Sequence, residues 1–199
     1  GDDTKELHYA ALGGKQAFEN NNYTVARDLL TRSLELLRAL PETPDNLNRQ
    51  WDLQVPLALA LRDTRGYISP EFQEATNRAW ELLPLIGETA ETLARSQVLF
   101  MKWVYHVVAA DFQTAWTIAR QFYELADKTQ NSQFMMEGHR LILSSAFYTG
   151  DLKIVQSHLE QILKLYDFEQ HSHQAIRRYG QDPGISSLVY SSLPIWILG

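Results

Sequence analysis

The chain has 199 residues, of which 45% are hydrophobic, and its net charge at neutral pH is −6. This acidic balance argues against a nucleic-acid-binding protein, which needs a basic surface. The absence of cysteine excludes disulfides, thiolate metal sites and cysteine nucleophiles. No run of 18 apolar residues and no signal-peptide pattern occur, so we expect a cytoplasmic protein without a membrane span.

Almost the whole chain has the pattern of helices joined by short loops. A capping residue followed by proline marks three helix starts, because proline at the first helical position loses no hydrogen bond. These starts are Pro44, Pro70 and Pro183. In chain order we predict helices over residues 4–20, 23–40, 44–63, 70–86, 89–109, 111–129, 131–148, 151–166 and 183–198, with a further short helix near residues 174–178.

Local signals refine these elements. Asp3 and Glu6 have the spacing of a capping box at the start of the first helix. Pro56, Pro84 and Pro194 lie inside helical patterns, where each removes an amide donor and where we expect a kink or a break.

One short phrase recurs at helix starts. A turn is followed by an aromatic or aliphatic residue, and a small or β-branched residue comes three positions later. These phase residues are Ala26, Ala75, Ala115 and Val155, which are separated by 49, 40 and 40 positions. A period near 40 is typical of helical repeats. We therefore predict an all-α, right-handed α-α superhelix of about four and a half helix pairs, one domain over residues 1–199, with Ala26, Ala75 and Ala115 buried.

Several stretches are more specific than general helix chemistry. They are residues 34–44 (LELLRALPETP), 57–72 (LALALRDTRGYISPEF), 99–106 (LFMKWVYH), 179–184 (YGQDPG) and 196–199 (WILG). Together they resemble the tetratricopeptide-like region of large bacterial signalling ATPases. There the region follows an ATPase module that is often fused to an adenylate or guanylate cyclase domain or to a protein kinase. The resemblance implies the fold and the domain context, and it carries no catalytic residue to this chain.

For the last predicted helix we expect an uncovered apolar face. In the resembling family the phrase at residues 196–199 continues with a turn and another helix, and the 40-residue period agrees. We therefore expect the chain to be a piece of a larger protein that ends within a repeat. The apolar residues that we expect on the uncovered face of this helix are Ile185, Leu188, Leu193, Trp196 and Leu198.

Gly13, Gly14 and Lys15 resemble the end of a phosphate-binding loop. That loop needs a glycine five residues before the Gly-Lys pair and a Ser or Thr after the lysine, but Tyr9 and Gln16 stand there. Close packing of paired helices is the better interpretation of the two glycines. We expect no cofactor.

His171 and His173, with Asp167 four positions before the first, could offer metal ligands. Zinc sites need three or four converging ligands, and the other histidines are scattered. A loop or capping role is the better interpretation, and we expect no metal. Among many serines, none sits in the sharp glycine-flanked turn of a nucleophile, so we expect no catalytic residue.

The first helix of each pair is predicted to line a concave groove. On the face opposite the phase residues, we nominate bulky or polar side chains that packing alone would not favour. The aromatic segment that includes Phe100 is interpreted mainly as core. The nominated groove residues are His8, Lys15, Phe100, Arg140 and Phe147.

The repeat pattern indicates a non-enzymatic protein-interaction or regulatory module, and the resemblance implies that this module is the sensor or scaffold arm of a multidomain signalling ATPase or cyclase. Expected partners are a protein or peptide, neighbouring domains of the same chain, or a second copy bound through the last helix; nucleic acid and membrane are not expected. A free-standing peptide-binding adaptor and, less favoured, a small helical enzyme are the alternatives. The carboxylate-clamp type of co-chaperone is disfavoured, because Lys15 and Ala11 stand where its asparagine and lysine belong.

Overall fold

The computed structural model describes residues 2–86, 92–171 and 179–198, with the backbone alone at residues 2 and 93. Helix makes up 87% of the structure, and no strand occurs in these ranges. The all-α prediction is confirmed. The long helices are α1 (Asp2–Glu19), α2 (Tyr23–Arg38), α3 (Pro44–Arg65), α4 (Pro70–Ile86), α5 (Thr92–Val108), α6 (Phe112–Thr129), α7 (Ser132–Thr149), α8 (Leu152–Leu165) and α9 (Pro183–Leu198).

The chain divides into two compact units, Gly1–Val98 and Leu99–Gly199, and the boundary falls inside α5. In the first unit, α1 packs against α2, α2 against α3 and α3 against α4, with a smaller contact between α1 and α3. In the second unit, α6 packs against α7 and α7 against α8, and α9 contacts both α7 and α8. In each of these two sets, helices that follow one another in the chain are neighbours in space, as short loops require.

Three turns between helices share one backbone geometry. Each has a residue in the left-handed region, followed by an Asn or Asp whose N–H donates to the carbonyl five residues earlier, at 2.8 or 2.9 Å. The side-chain oxygen of that Asn or Asp accepts from the amide three residues later, at 3.2 to 3.4 Å. Two residues therefore end one helix and cap the next. The pairs are Asn21–Asn22, Ala110–Asp111 and Gly150–Asp151.

The phase residues are buried, as was predicted for the three alanines. Ala26, Ala115 and Val155 have no exposed surface, and Ala75 is 5% exposed. Gly14 gives a similar close contact, because a Cβ there would lie 3.2 Å from the backbone nitrogen of Leu30 on α2. This geometry supports the packing interpretation of the glycine.

The capping box predicted for α1 is wrong. The helix begins at Asp2, so Asp3 lies inside it and does not cap it. Glu6 instead accepts a hydrogen bond from Arg32 Nε on α2, at 2.6 Å.

Of the kinks or breaks predicted at internal prolines, the breaks do not occur. α3, α4 and α9 run without interruption through Pro56, Pro84 and Pro194. In α3 the neighbours Val55 and Leu57 are buried, and burial of apolar side chains offsets the missing hydrogen bond. The short helix predicted near residues 174–178 lies outside the described residues.

Candidate functional site

A cleft of about 530 Å³ lies in the first unit and is lined by α2, α3 and α4. Its buried lining residues are Gln54, Leu57 and Leu61 of α3 and Ala75 of α4. The Gln54 side-chain amide donates to the Ala75 carbonyl at 3.0 Å, which ties α3 to α4 beneath the cleft. The floor is therefore mainly apolar and is held by a buried hydrogen bond.

Some charged side chains of the cleft are paired. Arg27 lies 2.7 Å from the neighbouring Asp28, and Arg32 contacts Glu6 at 2.6 Å and Glu35 at 3.4 Å. The hydrogen bond from Arg32 lowers the pKa of Glu6, and the same bond raises the pKa of Arg32. These pairs are exposed, so they contribute little stability.

Other charged side chains of the cleft have no ion pair within the described part of the chain. Arg38 ends α2 and Arg65 ends α3, while Glu71 and Glu74 lie in the first turns of α4. Because their charges are not satisfied internally, these four side chains can bind a ligand without first breaking an ion pair. A guanidinium matches a carboxylate with two parallel hydrogen bonds, which favours acidic groups opposite the arginines.

A second cleft, of about 600 Å³, adjoins the first, since Arg38 and Glu74 line both. Here Arg78 donates to Gln50 Oε1 at 3.0 Å and lies 3.5 Å from Glu81. The two clefts together form a charged surface along α2 and α4.

The nominated residues of the first unit do not line these clefts. His8 is exposed on α1, and the Lys15 ammonium lies 3.7 Å from a carboxylate oxygen of Asp52 on α3. First helices were expected to line the groove. The second helices α2 and α4 supply most of the charged side chains of the cleft, while the first helix α3 supplies its apolar floor and Arg65. The signal that sequence reasoning missed was the placement of Arg38 and Arg65 at the ends of α2 and α3.

In the second unit, the nominated Phe100 and Arg140 have no exposed surface, so neither can line a surface groove. The Arg140 guanidinium lies 5.5 Å from the Phe100 ring centroid and 5.7 Å from that of Trp103, and its Nε donates to Glu137 at 2.7 Å. Burial raises the pKa of Glu137, and the charge of Arg140 opposes this shift.

The nominated Phe147 is half-buried. Its ring centroid lies 5.5 Å from that of Tyr148 and 5.5 Å from that of Tyr190 on α9. The Tyr148 and Tyr190 hydroxyls are 3.2 Å apart. Burial and this hydrogen bond raise the pKa of Tyr148. Phe147 therefore belongs to an aromatic contact that joins α7 to α9.

A histidine pair that sequence reasoning missed lies between α7 and α8. The Nδ1 atoms of His139 and His158 are 2.9 Å apart, so one ring donates and the other accepts. The Tyr123 ring on α6 packs edge-on against both. Burial, and then the charge of His158, lower the pKa of His139 to about 4, so the pair is neutral at neutral pH. His139 also borders a cleft of about 580 Å³ with Asp127 and Lys164.

In the segment considered as a metal site, residues 167–173, the described residues form a hydrogen bond with each other. His171 Nδ1 accepts from the Asp167 amide at 2.9 Å, whereas residues 172 and 173 lie outside the described residues. Within the described ranges, no three metal-binding side chains cluster together.

Comparison of the chain with protein-family models, curated proteins and solved structures finds no match. Among the helices that the structure describes, none has the length and apolar character needed to cross a bilayer.

Proposed function

We propose that this chain is a non-enzymatic protein-interaction module that binds a peptide segment of its partner in the charged cleft of the first unit. The observation that carries the proposal is a set of charges around an apolar floor, Arg38, Arg65, Glu71 and Glu74, which form no ion pair with the residues that the structure describes. A volume near 530 Å³ lies in the range of known ligand sites.

The side chains that line the cleft indicate what kind of ligand it favours. Leu57 and Leu61 offer an apolar floor for an aliphatic or aromatic side chain. Arg38 and Arg65 favour carboxylates beside that side chain, and Glu71 with Glu74 favours a basic group on the side of α4. The proposed ligand is therefore an extended segment of mixed charge around one apolar anchor.

We place this module in a larger assembly. The context of a cytoplasmic signalling ATPase or cyclase is taken from the resemblance of residues 34–44 and 57–72, and the proposed role is that of a sensor or scaffold arm. We further propose that the helix pairs stack as a right-handed superhelix. The recurrence of one turn geometry at Ala110–Asp111 and Gly150–Asp151, 40 residues apart, supports that arrangement. Partner binding would shift an off/on equilibrium of the attached output.

The test is selection of random 12-residue peptides on the 199-residue chain, followed by fluorescence anisotropy of the selected peptides. We expect carboxylates beside an apolar residue, and affinity that falls with added salt. The Arg38→Glu/Arg65→Glu variant should lose at least tenfold in affinity. Arg120→Glu, an exposed arginine on α6 without an ion pair among the described residues, is the matched control and should bind normally.

Two results would overturn the assignment of the cleft. One is a selection that yields no specific binder. The other is a set of peptides that bind the double variant as tightly as the control, with both variants folded by circular dichroism.

A further inference from the structure

Helix α9 is oriented opposite to an ordinary surface helix, because it buries its small residues and exposes its large apolar ones. Its buried residues are Pro183, Gly184, Ser187, Ser191 and Pro194. The exposed ones are Ile185 (58%), Leu188 (49%), Val189 (65%), Leu193 (50%), Ile195 (47%), Trp196 (80%), Ile197 (54%) and Leu198 (45%).

Three contacts hold α9 in this orientation. The Asp182 carboxylate accepts from the Ile185 amide at 2.8 Å with Oδ1 and from the Tyr166 hydroxyl at 2.8 Å with Oδ2. Gly184 packs on the Tyr166 ring so closely that a Cβ would lie 2.7 Å from it. Further along, Tyr190 meets Tyr148 and Phe147 of α7. Rotation of α9 to bury its apolar face would break all of these contacts.

The exposed face reaches the size of a small specific interface. The five large side chains on one side of α9 (Ile185, Leu188, Val189, Leu193 and Trp196) expose roughly 600 Å², so a contact that covers them on two copies buries about 1,200 Å² in total, the lower bound for specific interfaces. Patches of this size mark interaction surfaces. A helix that lies on a membrane surface carries basic residues on its polar face, whereas α9 carries no charged residue at all. The absence of charge also means that two copies of α9 meet without repulsion.

The register of the face is self-complementary. Ile185, Leu188, Val189, Leu193 and Trp196 recur at helical spacing on one side of α9. In an antiparallel pair with the two-fold axis between positions 190 and 191, residues 185 and 196 face each other, as do 188 and 193. Ser192, which then lies near the axis, already donates its hydroxyl to the Val189 carbonyl at 2.8 Å. Close approach there leaves the Ser192 hydroxyl proton with its acceptor.

We propose that the exposed face of α9 is a homodimer interface, in which α9 of one copy packs antiparallel against α9 of a second copy across a two-fold axis. Such a contact is isologous, so it closes at two subunits and does not propagate. The surface belongs to the second unit, and the inference does not depend on the peptide cleft of the first.

The first experiment is sedimentation velocity of the 199-residue chain from 1 to 100 µM. We expect a monomer–dimer equilibrium, and Leu188→Glu should raise the dissociation constant at least 100-fold, because it buries a carboxylate in the contact. Leu12→Glu is the matched control, since Leu12 is 58% exposed on α1, and it should dimerise as the parent does. A parent that is monomeric throughout the range overturns the proposal, and so does a dimer that Leu188→Glu leaves intact.

The second experiment tests the register. The chain has no cysteine, so the two variants Ile185→Cys and Trp196→Cys each introduce one thiol. A short bismaleimide joins two thiols by addition of each across a maleimide double bond, and no oxidant is needed. We expect covalent dimer when the two variants are mixed and not from either alone, since like positions lie roughly 16 Å apart along the antiparallel pair. Cross-linking within either single variant contradicts the antiparallel register.

A third measurement tests whether the exposed face of α9 binds lipid instead of a second copy. Flotation with vesicles of phosphatidylcholine and phosphatidylglycerol should leave the parent chain at the bottom of the gradient. Flotation that Leu188→Glu abolishes would assign the face to lipid and overturn the dimer.

Discussion

Tyr166, Asp182 and Gly184 show how a few atoms fix the position of a helix. The Tyr166 hydroxyl donates to Asp182, whose other oxygen caps α9. Burial and the hydrogen bond to Asp182 raise the pKa of Tyr166 to about 12, so the hydroxyl keeps its proton at neutral pH. The ring is therefore held in place, and only glycine fits at position 184 against it.

Gly184→Ala is expected to lower the free energy of unfolding by about 1–3 kcal/mol, because the new methyl group would overlap a ring that cannot move aside. Thermal denaturation measures this effect. Gly13→Ala is the matched control, since its nearest neighbour is the flexible end of Leu29 at 3.2 Å. Equal melting temperatures for the two variants would show that the Tyr166 ring yields easily.

The histidine pair gives a pH dependence whose sign can be derived. The folded pKa of His139 is lowered to about 4, whereas an unfolded histidine titrates near 6.5. Between these values the unfolded chain binds a proton that the folded chain does not, so stability falls as the pH drops from about 6.5 to about 4. At pH 5 the loss attributable to His139 is about 2 kcal/mol.

Thermal melts at pH 7 and pH 5 measure this loss. In His139→Gln the difference between the two melting temperatures should shrink. In His8→Gln, which changes an exposed histidine of α1, the difference should match the parent. Identical pH dependence in the parent and in His139→Gln would contradict the assignment.

At the scale of elements, the helix bounds followed from local signals. The Thr43 and Ser69 side chains accept from the amides three residues later, as the sequence predicts for a cap before proline. The small residues at the phase positions were also predicted from short sequence segments alone. By contrast, the fit of Gly184 against Tyr166 depends on how two helices are rotated about their axes. That rotation is decided by packing between residues distant in the sequence.

Ala115→Leu tests the phase contact of α6. Ala115 has no exposed surface, so three extra carbon atoms must displace a neighbour, and we expect a loss of about 1–3 kcal/mol. Ala109→Leu adds the same atoms at an exposed alanine and should change stability by less than about 0.5 kcal/mol. Chemical denaturation of both variants measures the difference. No loss in Ala115→Leu would show that the position is loosely packed.

At the scale of the whole molecule, the all-α class and the order of neighbouring helices could be predicted from the spacing of caps and apolar residues. The cleft of the first unit could not be predicted from the sequence. Its charged side chains come from three helices, and which of them form ion pairs depends on the distances between side chains of different helices. Arg32 and Arg38 are six residues apart on α2, yet of the two only Arg32 has a carboxylate within 4.0 Å in the described part of the chain. Arg140 was noticed for its polarity, but its burial depends on Phe100 and Trp103 of another helix.

The chain is expected to hydrolyse neither ATP nor GTP and to form no cyclic nucleotide. Lys15, the basic residue of the Gly13–Lys15 segment that resembles a phosphate-binding loop, lies 3.7 Å from Asp52. The measurement is turnover of purified protein with each nucleotide and Mg²⁺ or Mn²⁺, beside Lys15→Ala. Turnover that disappears in the variant would restore Gly13, Gly14 and Lys15 as a nucleotide site.

The shared turn geometry gives one 40-residue segment of the second unit, residues 111–150, equivalent junctions at its two ends. The backbone enters residue 111 and leaves residue 150 through equivalent pairs, Ala110–Asp111 and Gly150–Asp151. A copy of residues 111–150 inserted after Gly150 would therefore begin and end with the junctions that the chain already uses. Tandem duplication is thus a change in gene length that this fold can accept without a new loop. The lengthened protein should gain helical circular dichroism in proportion to the 40 added residues and still unfold cooperatively; a disordered insert would show that the two junctions are not interchangeable.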